Sequence, residues 1–231
     1  NGFQMVASFS YFIIVFYLFN GKYDAAGNWP AWFSTISAMA TAFLIIPVIT
    51  WMANLWGKRR AFLISTGISM VGYMIKWWGF NPGNPWMMFV PIPLMAFGIG
   101  GLFTLMMSMT ADVCDLDELN NGMPRKEGTF GAIYWWMVKL GIALASLIAG
   151  FLFNIIGFDQ SLGLGQSTQT LFWMRICDVG IPIITSFVAI FIIMTFDISE
   201  NKAYDIRKQI EERRQGERRK EDRRTEDRRK E

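Results

Sequence analysis

Trp86 to Ala111 reads WMMFVPIPLMAFGIGGLFTLMMSMTA, without one ionisable side chain. A helix that crosses a bilayer needs about 20 mostly apolar residues, and this run exceeds that. The rest of the chain shows the same segregation. Of its 231 residues 52% are hydrophobic, 16% aromatic and only 18% charged. From Lys202 to Glu231, 22 of the 30 residues carry a charge. A soluble domain spreads charge over its surface, so the pattern points to lipid as one solvent. The net charge of +3 averages two unlike regions.

Working outward, five more spans are expected: Phe3 to Phe19, Trp32 to Trp56, Ala61 to Phe80, Thr129 to Phe153 and Leu171 to Phe196. Turn-rich breaks separate them at 21–28, 81–85 and 157–169. Basic residues set orientation. Lys58, Arg59 and Arg60 follow the second span, Arg125 and Lys126 the fourth, and thirteen Lys/Arg the sixth; the other loops hold Lys22. The even loops and the C-terminus are therefore expected in the cytoplasm, in a multi-pass protein of the inner (plasma) membrane. Trp29, Trp32, Trp77, Trp78, Trp86 and Trp173 fall near the expected outer boundary, Trp51 and Trp56 near the inner one. That distribution is an aromatic belt. The chain begins at Asn1 inside an apolar run, which reads as a cut point in a longer protein.

Several chemistries are excluded within this chain. There is no histidine, and the two cysteines, Cys114 and Cys177, fall on different helices. Zinc sites, His-based triads and a disulfide framework are not expected. Asp115 and Asp117 begin a calcium-loop spacing, but Leu119 breaks it. No metal, no organic cofactor, no nucleic-acid partner and no enzyme activity are expected, because the spans hold no nucleophile–base pair.

Ionisable groups inside a span are costly and mark candidate sites. Lys139 lies about 15 Å into the fifth span, near the midplane. Trp135 and Trp136 precede it by four and three residues on the same face. A cation beside two indoles suits a polar ligand that stacks on a ring; a structural Lys–carboxylate pair is the plainer reading. Arg175 and Asp178, three residues apart in the sixth span, read as an intramembrane ion pair, and a pairing of Asp178 with Lys139 stays open. Lys76 is expected to snorkel to the outer surface. Gly141, Ala145 and Ala149, and Gly100, Thr104 and Ser108, form small stripes suited to close helix packing.

Asp112, Asp115 and Glu118 share a face at the end of the fourth helix, where the dipole opposes acids. Solvated end charges are one reading. A gate of ion pairs is the preferred one, with Arg125 as one partner and others in a missing half. The tail from Glu212 repeats a five-residue unit with no apolar face, and is expected to be solvated and dispensable from Arg213 onward.

Three stretches together resemble the glycoside–pentoside–hexuronide:cation symporters, the melibiose-permease-like branch of the major facilitator superfamily. They are Asp112-Val-Cys-Asp115-Leu-Asp-Glu118, Gly122-Met-Pro-Arg125-Lys-Glu127-Gly128 and Val138-Lys139-Leu-Gly141. Gly57-Lys-Arg-Arg60 and Gln166-Ser-Thr-Gln-Thr170 are similar to the family too. The similarity covers residues 1 to about 200 and corresponds to the family's C-terminal six helices.

The resemblance implies an all-α membrane protein, six transmembrane helices forming the C-terminal half of a twelve-helix major facilitator fold. It implies alternating access and sugar uptake coupled to Na+ or H+, with the ion bound mainly by the missing N-terminal half. Lys139 matches a position near both sugar and cation, and Asp112, Asp115, Glu118 and Arg125 match a cytoplasmic gate. Tyr134 and Trp135 replace polar sugar-contacting positions, so no particular sugar carries over. The expected domains are a bundle over 1–198 and a charged tail over 199–231. The expected function is sugar or glycoside symport. The alternatives are a facilitator for a lipid or amphiphile, or a non-transporting sensor on the same fold.

Overall fold

The computed structural model describes residues 2–122, 125–196 and 200–230. The expected junction at 198/199, and Met123 and Pro124 of the loop motif, lie outside the described residues. Among those described there is no strand; every element is helical.

The chain opens with α1 (Gly2–Phe12), which continues as a π-helical turn over Ile13–Leu18. Asn20 at φ 50° and Gly21 at φ 73° make the reversal, which needs left-handed backbone. A short α2 (Tyr23–Ala26) leads to α3 (Trp29–Met39). A π-turn over Ala40–Ile45 joins α3 to α4 (Ile46–Trp56). The cause is Pro47: its ring clashes with the carbonyl four residues back and it donates no hydrogen bond, so the helix widens just before it. Gly57 at φ 81° then ends α4, and α5 (Lys58–Gly79) starts at once.

The decisive apolar run of the sequence forms a 3-10 turn (Pro85–Phe89), α6 (Ile92–Gly100), a π-turn (Gly101–Leu105) and α7 (Met106–Asn121). Next come α8 (Glu127–Ile156), a 3-10 turn (Gln160–Gly165), α9 (Thr168–Met194) and α10 (Glu200–Lys230). Ser167 caps α9 by accepting from the Gln169 amide.

Among the described residues, four stretches are long and apolar enough to cross a membrane: Tyr23–Trp56, Pro85–Asn121, Glu127–Ile156 and Thr168–Met194. Ala7–Leu18 is a shorter apolar helix. α5, over Lys58–Gly79, is long enough, but Lys58, Arg59, Arg60 and Lys76 make it more polar. Each of the six expected spans thus falls on a helical stretch, four of them with the length and composition of a crossing.

α5 is the inner helix, packed against α6, α4 and α9. Its crossing with α6 is close because the contact is made of small residues. A Cβ on Gly72 would sit 2.7 Å from the Met95 nitrogen, and one on Gly98 2.9 Å from Ser69 Oγ. Apolar burial drives little in lipid, so such close packing is what holds helices together there. The Gly141–Ala145–Ala149 stripe is the buried face of α8, and Ala145 and Ala149 join Phe9 and Ile13 in one core. Gly100 sits where a Cβ would meet Ile49 and Ile45 at 3.0 and 3.1 Å. The outward faces are apolar: Phe43, Phe151, Ile155, Phe187 and Phe191 are all exposed, as lipid-facing side chains are.

Candidate functional site

Charge gathers at two levels. One is the end of the bundle that carries Lys58, Arg125 and α10. The other lies inside, towards the opposite, tryptophan-rich end.

At the first level Asp112, Asp115 and Glu118 occupy one face of the last turns of α7. Asp112 is 2.6 Å from Lys58 and 2.5 Å from Arg207. Asp115 meets Arg125 at 3.2 Å and Arg207 at 3.5 Å. Glu118 takes a two-oxygen contact from Arg214, at 2.7 and 3.0 Å. The hydrogen bond to Asp112 is the largest cause that holds the Arg207 guanidinium above its ordinary pKa. Arg125 was expected here. Lys58, Arg207 and Arg214 were not: the sequence reading placed the missing cations in another half, yet this chain supplies them. Arg59 donates to the Met194 carbonyl at 2.5 Å and so satisfies the end of α9.

The tail therefore does more than float. Ala203, Ile206 and Ile210 are buried, spaced three and four residues apart along one face of α10. That face packs on α7, and Arg213 donates to the Gly122 carbonyl at 3.0 Å. The five-residue repeat has no apolar face; the apolar docking residues lie just before it, while Arg213 and Arg214 of its first unit also bind α7 and its end, against the expectation of a solvated tail from Arg213. The periodic Ala203, Ile206 and Ile210 were the signal that could have found it.

Inside the bundle, Lys76 Nζ lies 2.6 Å from Asp178 Oδ2, and the two side chains are 0% and 2% exposed. Lys76 donates to Ser10 Oγ at 2.7 Å, and Ser10 donates to Asp178 Oδ1 at 3.4 Å. α1, α5 and α9 thus meet in one polar knot. Asp178 lies about 15 Å along α9 from Thr168, and Ser10 about 12 Å from the Leu18 end of its helix. Two expectations are corrected here. Lys76 does not snorkel; its side chain is fully buried, held by Asp178 and Ser10, and its ammonium lies 5.0 Å from the Phe80 ring centre. Asp178 pairs with Lys76, and neither Arg175 nor Lys139 is its salt-bridge partner. Arg175 instead lies 4.3 and 4.2 Å from the ring centres of Tyr17 and Trp77, and donates to the Tyr17 hydroxyl at 2.8 Å and to the Trp77 carbonyl. Residues three apart share a helix face, but planar stacking suits a guanidinium better than a carboxylate already saturated by an ammonium.

A cavity of about 460 Å³ opens beside this knot, between α1, α3 and the α5–α6 pair. Ser10, Tyr11, Tyr73, Ser34, Ser37 and Thr41 contribute its polar groups, and the rest of the wall is apolar. Ser10 is both a wall residue and a member of the buried knot.

The Lys139 group stands apart from both levels. Lys139 is exposed, about 18 Å along α8 from Glu127, and makes no hydrogen bond or ion pair among the described residues. Trp135 and Trp136 are exposed beside it, 45% and 62%. Trp135 stacks on Phe103 with centroids 6.3 Å apart. Tyr134 is half-buried, with a hydroxyl that has no hydrogen-bond partner among the described residues.

A family described as MFS/sugar transport protein matches residues 2–200. The chain belongs to the MFS sugar-transport family. As a member it is a multi-pass membrane protein, and the family resemblance read from the acidic helix end and the Lys139 motif stands. A Synechocystis protein described as an uncharacterized symporter is 24% identical over 185 residues, 78% of this chain and 34% of that one. The glucuronide carrier protein homolog of Escherichia coli is 23% identical over 169 residues, 73% and 36% of the two chains. A Bacillus subtilis protein, also described as an uncharacterized symporter, is 24% identical over 155 residues, 67% and 33%. The chain spans about a third of the length of these relatives. No solved structure matches it.

Proposed function

We propose that the chain forms one six-helix half of a cation-coupled sugar or glycoside symporter that works by alternating access. One observation carries this reading. α8 holds Lys139, Trp135 and Trp136 uncovered in mid-span, where lipid would leave an ammonium unpaired. Such a face suits a second helical body and a polar solute between them. Ionic groups of both signs at the charged end of α7 fit a gate that meets that second body on the cytoplasmic side. The coupling ion is Na+ or H+, and the solute class is a glycoside or hexuronide, as the name of the Escherichia coli relative suggests.

The test is uptake of a labelled glucuronide by vesicles that carry the complete transporter, under an imposed Na+ or H+ gradient. Accumulation that needs the gradient is expected, and its loss in Lys139→Ala with normal membrane insertion. Full uptake by Lys139→Ala would reduce that lysine to a structural group.

A second reading has its own support. The cavity beside Ser10 is mostly apolar, which favours an amphiphile as the solute. Competition between an alkyl glycoside and the free sugar separates the two.

A further inference from the structure

The Lys76–Asp178 pair shares no hydrogen bond or ion pair with Lys139 among the described residues, and the transport reading above does not use it. We propose that this pair, joined through Ser10 to the cavity between α1, α3, α5 and α6, is a proton-loading site of the transporter. The inference rests on the transport reading and adds to it the group that takes up the proton.

Three observations carry it. First, the pair is sealed. Lys76 is 0% and Asp178 2% exposed, and the Lys76 ammonium also lies 5.0 Å from the Phe80 ring centre. A buried ion pair stabilises a fold weakly, because desolvation offsets most of its attraction. Packing alone therefore gives poor reason to hold two charges here. Second, the pair reaches the cavity through a polar group. Ser10 accepts from Lys76, donates to Asp178 and lines the cavity. A hydroxyl that accepts on one side and donates on the other can pass a proton. Third, the partners come from three helices, so a change in their charge acts on how α1, α5 and α9 pack.

The step balances as follows. A hydrated proton in the cavity binds to Ser10 Oγ, and the hydroxyl hydrogen of Ser10 moves to Asp178 Oδ1. The carboxylate becomes a carboxylic acid, Ser10 is regenerated and a water remains in the cavity. Lys76 keeps its ammonium, so the pair passes from neutral to a single positive charge. The 3.4 Å Ser10–Asp178 bond is long for O–H···O, so transfer requires Ser10 to turn towards the carboxylate. An ammonium without its counter-ion cannot stay sealed in lipid-depth packing. Loading therefore favours a state in which water reaches the α1–α5 wall, which links proton binding to exposure of the cavity. The other titratable or charged groups near Asp178, among the described residues, are Tyr73 on α5 and Arg175 and Cys177 on α9; Tyr17 holds Arg175. α1 contributes Ser10.

The test is infrared difference spectroscopy of the complete transporter in proteoliposomes, between neutral and acidic buffer. A carboxylic-acid C=O band is expected to appear on acidification, to vanish in Asp178→Asn and to shift in Asp178→Glu. The glutamate variant keeps the charge and serves if the asparagine variant folds poorly. Absence of any band that depends on Asp178 would overturn the proposal, because the carboxylate would then stay ionised. A second arm reads the pH profile of glucuronide counterflow. It is expected to flatten in Lys76→Gln/Asp178→Asn; an unchanged profile would also overturn the proposal. If wild type shows no counterflow of any glycoside, the transport reading fails, and the Asp178 band still decides the proton site.

Discussion

Lys76 and Asp178 hold each other at 2.6 Å inside the bundle, on helices that are distant in sequence and neighbours in space. Removing one partner strands the other. Lys76→Met should leave a buried carboxylate unpaired and destabilise the protein by roughly 3–5 kcal/mol. Lys76→Met/Asp178→Leu, which removes both charges, should recover most of that loss. The measurement is the melting temperature in detergent. Equal loss in the single and double variants would mean the charges do not interact.

Gly72 is the tightest contact in the crossing of α5 and α6. A methyl there meets the Met95 backbone nitrogen at 2.7 Å, and backbone cannot turn away as a long side chain can. Gly72→Ala should cost about 1–3 kcal/mol through overpacking. Gly67→Ala on the same helix has nothing within 4 Å and should be neutral or slightly stabilising. Thermal denaturation of the two variants checks the geometry of the crossing.

α10 is held by two devices, the buried Ala203, Ile206 and Ile210 and the bonds from Arg207 and Arg214 to the α7 acids. Asp112→Asn/Glu118→Gln should weaken docking by roughly 1–2 kcal/mol, since the arginines are half-exposed. Trypsin should then cut the arginine-rich helix faster. A chain cut after Gly216 keeps Arg207, Arg213 and Arg214 and should match wild type in stability; one cut after Asn201 should not. Identical protease resistance in all of these would return the segment to a solvated tail.

The spans were legible because a bilayer demands long apolar runs, and Trp86 to Ala111 could hardly fold otherwise. The Gly141–Ala145–Ala149 stripe was legible for a similar reason, since small residues at four-residue spacing make one packing face. The partner of Asp178 was not. Sequence spacing shows which groups share a helix, so Arg175 was in view, while Lys76 depends on how α5 and α9 are rotated against each other. The docking of α10 was legible in Ala203, Ile206 and Ile210, but the charge repeat after them drew the reading towards solvent. Two of the partners of the α7 acids, Arg207 and Arg214, were lost with it.

Lys139, exposed on α8 with Trp135 and Trp136, is where symport meets its simplest test. Replacement by alanine removes no hydrogen bond or ion pair among the described residues, so folding and insertion should be unchanged. Glucuronide accumulation by vesicles that carry the complete transporter should exceed the equilibrium level under a Na+ or H+ gradient, and fall to that level in Lys139→Ala. Accumulation that ignores both gradients in wild type, or persists in full in Lys139→Ala, would contradict the account.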